Sequence, residues 1–203
     1  MPLSPSFAGV ILAAGASSRM GRDKALLPWR EGTFLSAGIR ALQPATDLVI
    51  VVAGANAPTL EPTVDAHAAF MVVNPDPQRG QFSSLQVGLR EVLHRGRDGA
   101  IITLVDRPAA EAATVRQIKA AFLASDEQTW AMVPEFAAKH GHPYVIGREM
   151  IEAFLRAPVN SSARDVEHAN QRHIKYLPVA DPLVIANVDT PEDFQKLTQG
   201  TLI

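Results

Sequence analysis

Residues 8–24 read AGVILAAGASSRMGRDK, an apolar run that breaks into small residues and then reaches two cations. The run Ala8–Ala13 is continuous rather than alternating, as expected of a parallel strand covered on both faces. The loop after such a strand lies at the carboxyl edge of the sheet, where open α/β folds bind their ligands. Small residues at positions 13 to 18 let backbone N–H groups approach an anion, and Arg19 and Lys24 add positive charge. Gly21 between them predicts a tight bend that carries Lys24 back toward the same anion. A polyphosphate requires that combination of amide donors and cations. The spacing is neither of the commoner phosphate loops: a dinucleotide fingerprint needs more glycines than Gly15 and Gly21, and a Walker lysine follows glycine, whereas Lys24 follows Asp23. On residue types alone, an ordinary strand-to-helix connection with surface Arg and Lys remains the alternative.

The pattern repeats outward from this stretch. Further strands are expected at Leu48–Ala53, Phe70–Val73, Ala100–Val105, Trp130–Val133, Ile174–Leu177 and Leu183–Val188. Helices are expected at Phe34–Leu42, Ser83–His94, Glu111–Ala124, Arg148–Leu155 and Pro191–Leu197. In the second of these, Leu85, Leu89, Val92 and Leu93 form one apolar stripe. The last starts with Thr190 placed as an N-cap and Pro191 at the first helical position. Alternating strands and helices predict a three-layer, Rossmann-like, doubly wound and mostly parallel α/β sheet. One domain over residues 1–203 is expected, with the loop-rich stretch 135–172 as a subdomain over the sheet edge.

Composition narrows the function. Of 203 residues, 19 are Lys or Arg and 21 are Asp or Glu, a net charge of −2 that lacks the basic field of a nucleic-acid binder. There are no cysteines, which excludes disulfides, thiolate metal sites and cysteine nucleophiles. No run approaches the roughly 20 apolar residues that span a bilayer. The first apolar run, Phe7–Ala14, has no positive flank before it, so no signal peptide is expected and the location expected is cytoplasmic.

The run LAAGASSRMGRDK resembles the L-A-[AG]-G-x-S-x-R-M-G-x-x-K motif of the MobA-like NTP transferase family, a fold of the nucleotide-diphospho-sugar transferase type. With Ala25-Leu26-Leu27-Pro28-Trp29, it is most similar to the molybdenum cofactor cytidylyltransferase, or MocA-like, branch. The resemblance runs from Val10 to Leu197. It implies that Leu12, Ala13, Ala14 and Gly15, with Arg19 and Lys24, hold a nucleoside triphosphate, and that Arg19 and Lys24 act in catalysis. Ala14 resembles the cytidylyltransferase branch, where guanylyltransferases carry glycine, so CTP is the expected donor and GTP the rival.

Asp106 follows the strand ending in Val105 and precedes Arg107-Pro108, so it is placed either to bind magnesium or to cap the next element. The family has an Asp-x-Pro metal element here, which implies a catalytic and metal-binding role for Asp106. Arg107 stands where Gln or Met is usual and is expected to add a phosphate contact or alter the pocket rim. Asn187-Val188-Asp189-Thr190-Pro191-Glu192-Asp193 resembles the family's closing D/N-x-D/N-T-P-E-[DE] element, implying Asn187 and Asp189 as further metal ligands for Mg2+. Asn74, Ser83 and Ser84 resemble the family's nucleoside region, with base contact and helix capping both open for the serines. His142, in a Gly-His-Pro element, and Arg164 are implied on the acceptor side.

The implied reaction is transfer of a nucleoside monophosphate from an NTP to a phosphate-bearing acceptor, most simply molybdopterin or the molybdenum cofactor, with pyrophosphate released. The implied partners extend to a molybdoenzyme or its maturation chaperone, and exclude nucleic acid and membrane. The alternatives are a sister enzyme acting on a sugar phosphate and a cofactor-handling protein that binds without turnover.

Overall fold

In a computed structural model of the chain, residues 5–15, 17, 19–158 and 160–201 are described. Positions 16 and 18, part of the small-residue stretch of the first loop, lie outside them. The elements run β1 (Phe7–Leu12), β2 (Pro28–Trp29), β3 (Gly32–Thr33), α1 (Phe34–Leu42), β4 (Leu48–Ala53), α2 (Ala57–Ala66), β5 (Phe70–Val73), α3 (Gln81–His94) and β6 (Gly99–Leu104). They continue as α4 (Ala112–Leu123), β7 (Ala131–Phe136), β8 (Lys139–His140), β9 (Tyr144–Gly147), α5 (Arg148–Arg156), α6 (Ala163–Ala169), β10 (Ile174–Pro178) and α7 (Pro191–Thr198).

The central sheet has the order β10-β7-β9-β6-β1-β4-β5, with β8 paired to β7 and a separate β2–β3 hairpin. β6, β1, β4 and β5 are mutually parallel, β10 is parallel to β7, and β9 runs antiparallel to both of its neighbours. Alternate residues of each central strand feed opposite layers. Phe7 and Ile11 of β1, with Val49 and Val51 of β4, meet α1, α2 and α4, whereas Val10, Ile50 and Val52 meet α3, α5 and α6. This burial on both faces is why the strands read as unbroken apolar runs. Gly88 lets α3 lie directly on the sheet: a Cβ there would come within 2.9 Å of both Val10 and Val52.

The chain moves outward from β1 to β4 and β5, then crosses back through α3 to β6 on the other side of β1. The connections after β1 and β6 therefore diverge, and a crevice opens at their carboxyl ends, the topological switch point of such sheets.

Four expectations change. The run Leu183–Val188 is not a strand. Asp181 accepts hydrogen bonds from the Leu183 and Glu111 N–H groups and the Thr114 hydroxyl, and so turns Pro182–Ile185 into a 3-10 helix. The apolar residues are buried nonetheless, because Val184 and Val188 pack under the loops, and the strap is tied by His142 N–H to Val184 O and Val188 N–H to Asp106 O, at 2.8 and 2.9 Å. Second, α2 forms despite Pro58 and Pro62. Third, β9 and α6 appear within the stretch 135–172 where neither was expected. Fourth, α3 begins at Gln81 with Gly80 at its N-cap, so neither Ser83 nor Ser84 caps it. Thr190 does cap α7, in a reciprocal pair with Asp193.

Candidate active site

A third apolar cluster fixes the loop after β1. Met20, Leu27 and Phe34 pack with Val188 and Leu197, so the backbone on either side of Met20 is anchored while Arg19 stays largely in solvent. Gly21 has φ +70°, the left-handed bend expected there. The loop closes on itself where the Lys24 N–H donates to the Ser17 hydroxyl at 3.1 Å. Asn56 clips it from outside: its amide donates to Asp23 at 2.7 Å and to the Ala13 carbonyl at 2.9 Å, and its oxygen accepts the Gly54 N–H. Ser17 stands at the fixed serine of the quoted motif, whereas Asn56 carries no sequence signal of its own, because its partners are set by the folded loop and not by spacing.

A cleft of about 290 Å³ sits at the switch point, walled by Leu12, Ala14, Gly15, Ser84 and Val105. Its charged residues are Arg19, Lys24, Asp106 and Asp189. Lys24 Nζ lies 2.7 Å from Asp189 and 3.6 Å from Asp106, and Arg19 reaches the same Asp189 oxygen at 3.0 Å. The Lys24 side chain is only 9% exposed, so it is an enclosed cation and not a surface one as the loop composition suggests. The hydrogen bond from Lys24, reinforced by the Lys24 and Arg19 charges, holds the Asp189 carboxyl below its ordinary value against the opposing effect of burial.

Asp106 accepts no side-chain hydrogen bond among the described residues, although its charge faces Lys24 and Arg107. Its Oδ1 is buried without a hydrogen-bond partner among the described residues, and its Oδ2 meets Lys24 beyond hydrogen-bond distance. Asn187 donates to Asp189 at 2.8 Å, orienting that carboxylate, and itself stays exposed outside the cleft lining. Among the described residues no cluster of three or more His, Cys, Asp or Glu is arranged to hold a metal. Magnesium needs only one or two carboxylates beside substrate phosphates, so Asp106 and Asp189, with Asp106 Oδ1 unpartnered among the described residues, fit a divalent ion.

Other expected positions sort differently. Ala13 is buried in main-chain pairing to Val52, not in the cleft. Asn74 donates to both Ser83 and Ser84 at 2.9 Å and accepts from the Asp76 N–H, a buried clasp between the end of β5 and the first turn of α3. Of these three, only Ser84 lines the cleft. His142 and Arg164 lie together in a second cavity of about 520 Å³, with Arg107, Tyr144 and Glu167. The two cavities share Leu12, Gly80 and Gln81. Burial, aided by the Arg107 charge, pushes the His142 imidazole down to about 3, so it is neutral near pH 7. Burial also raises the Tyr144 and Glu167 side chains, keeping the phenol protonated.

Arg19→Ala is expected to leave the melting temperature within about 2 °C, because an exposed ion pair is worth little, and, if Arg19 has the phosphate role that the resemblance implies, to lower kcat/KM for NTP by roughly 10- to 100-fold. Thermal scans beside pyrophosphate-release kinetics check both halves.

A doubly wound sheet with an anion loop and paired carboxylates at its switch point defines a nucleotide-handling α/β protein. A family model, the MobA-like NTP transferase domain, matches residues 9–176. The chain belongs to that family of nucleotidyltransferases. It is 26% identical to the molybdenum cofactor cytidylyltransferase of Escherichia coli over 91% of this chain and 92% of that one. It is 28% identical to the molybdenum cofactor guanylyltransferase of Xanthomonas euvesicatoria over 97% of each. The crystal structure of Rv0371c from Mycobacterium tuberculosis superposes with a TM-score of 0.81 at 31% identity, over 96% of this chain and 98% of that one, and the same protein has been solved in complex with manganese. No helix among the described residues is long and apolar enough to cross a membrane.

Proposed function

We propose that the protein is a divalent-metal-dependent nucleotidyltransferase, using Mg2+, that moves a cytidylyl group from CTP to the phosphate of molybdopterin or the molybdenum cofactor and releases pyrophosphate. The observation that carries this reading is the convergence of Arg19, Lys24, Asp106 and Asp189 on one cleft at the switch point. The cytidylyl- and guanylyltransferase relatives support the donor and acceptor classes, and the manganese complex of Rv0371c supports the use of a divalent ion.

An acceptor phosphate oxygen bonds to the α-phosphorus as the bond to the α,β-bridging oxygen breaks, and pyrophosphate departs with that electron pair. A phosphate monoester is already anionic near neutral pH, so no side chain has to remove a proton. The chain's part is positioning and charge. The loop amides and Ser84 line the site of the triphosphate, Lys24 and Arg19 neutralise the leaving pyrophosphate, and Asp106 and Asp189 hold the ion. That ion, when bound, polarises the phosphoryl oxygens. We place the reaction in the cytoplasm, where NTPs are present, with a molybdoenzyme or its maturation chaperone as the partner that receives the product.

The deciding experiment is a matrix of CTP, GTP, ATP and UTP against molybdenum cofactor and sugar phosphates, with magnesium, scored for pyrophosphate. Release only with sugar phosphates moves the acceptor, and binding without release in any cell removes the enzyme reading. CTP is expected to bind more tightly than GTP, because Ala14 puts a methyl into the cleft wall where guanylyltransferases carry glycine. Calorimetry with both nucleotides and magnesium checks this, and tighter GTP reverses it.

A further inference from the structure

The second cavity holds groups that nucleotide transfer leaves without a role, and Arg107 is the chief one. It directly follows Asp106, yet the two side chains serve different spaces: Asp106 lines the loop cleft and Arg107 the larger cavity beside it. Among the described residues the guanidinium is held at one corner, where Nη1 donates to the Ala186 carbonyl at 3.4 Å. Its Nε–H is enclosed and has no hydrogen-bond partner among the described residues. A buried charged donor without a partner is costly, and such a group persists where a ligand completes it. Burial lowers the guanidinium from its ordinary value against the opposing charges of Asp106 and Asp189, and an arginine remains cationic in a protein interior. An arginine fork with a free N–H edge matches a phosphate in geometry and charge. Beside it, neutral His142 offers a ring nitrogen, Nδ1, that is likewise enclosed and unpartnered among the described residues. Phe82, Leu85 and Leu104 supply apolar wall for the body of a small molecule, and exposed Arg164 stands at the rim.

Resting on the transferase reading above, we infer that Arg107 is the acceptor-selecting residue: its guanidinium receives a phosphomonoester dianion in the second cavity and presents it across the shared wall of Leu12, Gly80 and Gln81. The nucleophile thereby enters from the side opposite the loop cations, and an acceptor without a phosphate finds a buried cation that it cannot satisfy.

Inorganic phosphate is the probe. It is titrated into wild type, Arg107→Met and Arg107→Lys while arginine side-chain Nε–H signals are followed by NMR, with and without a saturating non-hydrolysable CTP analogue plus magnesium. One Nε–H signal, missing from Arg107→Met, is expected to shift saturably, and phosphate affinity in that variant to fall at least about tenfold. Arg107→Lys should fall between wild type and Arg107→Met, because the charge is kept while the planar fork is lost. The phosphate site should persist when the analogue fills the loop cleft. In turnover, Arg107→Met should raise KM for the acceptor and leave KM for NTP and the melting temperature unchanged. Unaltered phosphate affinity in Arg107→Met overturns the inference, as does a phosphate site that vanishes when the analogue binds. Failure of the analogue to bind overturns the transferase reading instead, and the titration of phosphate alone still decides Arg107. Should Arg107→Met not fold, the wild-type shift and Arg107→Lys carry the test.

Discussion

Asp106→Asn is expected to melt at the wild-type temperature and to lose about 10²- to 10³-fold in metal-dependent turnover. The first half follows from how little the protein asks of this carboxylate. One oxygen has no partner among the described residues, the other sits 3.6 Å from Lys24, and the backbone carbonyl that ties the strap at Val188 survives the substitution. The second half is Coulombic: a full charge removed a few ångströms from a divalent ion costs on the order of several kcal/mol at an effective dielectric near 20. Pyrophosphate release measured across magnesium and manganese concentrations reads the loss directly. Wild-type turnover in the variant would remove Asp106 from the centre of the mechanism.

Lys24→Ala should damage both binding and stability, unlike Arg19→Ala on the same loop. The ammonium is enclosed and stands between Asp189 and Asp106, so its removal leaves two carboxylates without the cation that separates them, with exposed Arg19 and the neighbouring Arg107 as the remaining positive charges. A cost of about 1–3 kcal/mol is expected, the lower part of the range for a broken enclosed pair because Asp189 keeps 29% of its side chain in water. NTP affinity should fall at least about tenfold with the lost phosphate contact. The stability part carries a pH signature. Asp189 is held below its ordinary value of 3.8 in the folded protein, so the pair contributes fully above that value and the contribution is lost as pH falls through the lower, folded value. The gap in melting temperature between wild type and Lys24→Ala should therefore be constant near neutrality and close in acid. A gap that persists unchanged at low pH would assign the loss to packing of the lysine stem.

What the sequence discloses depends on whether burial happens in a ladder. β1, β4 and β6 are covered by helices on both faces and announce themselves as apolar runs, whereas Leu183–Val188 is as apolar but buried beneath loops as a strap. β9 is four residues squeezed between Pro143 and α5, too short for any periodicity to register. Being antiparallel, it brings its beginning, not its end, to the functional edge, which is how His142 and Tyr144 come to stand beside Arg107. The loop cations and Asp106 are legible because they follow the apolar runs of β1 and β6 in sequence, and Asp189 because it belongs to the quoted closing element, although the run before it is not a strand. The Asn74 clasp is not, because an amide and two hydroxyls suit a base and suit each other equally well.

The mutual pairing of Lys24 and Arg19 with Asp189 has a consequence for which ligands the cleft admits. A bare polyphosphate has to draw the cations off their carboxylate and then lie beside the negative charge it uncovers. A bare divalent ion has to evict an ammonium that is already seated. Arriving together, each takes the partners the other releases, and no charge is left uncovered. Binding free energies are reciprocal, so the factor by which the ion tightens NTP is the factor by which NTP tightens the ion. On the function proposed above, the cleft would act as a coincidence gate, favouring the metal–triphosphate complex over either component alone.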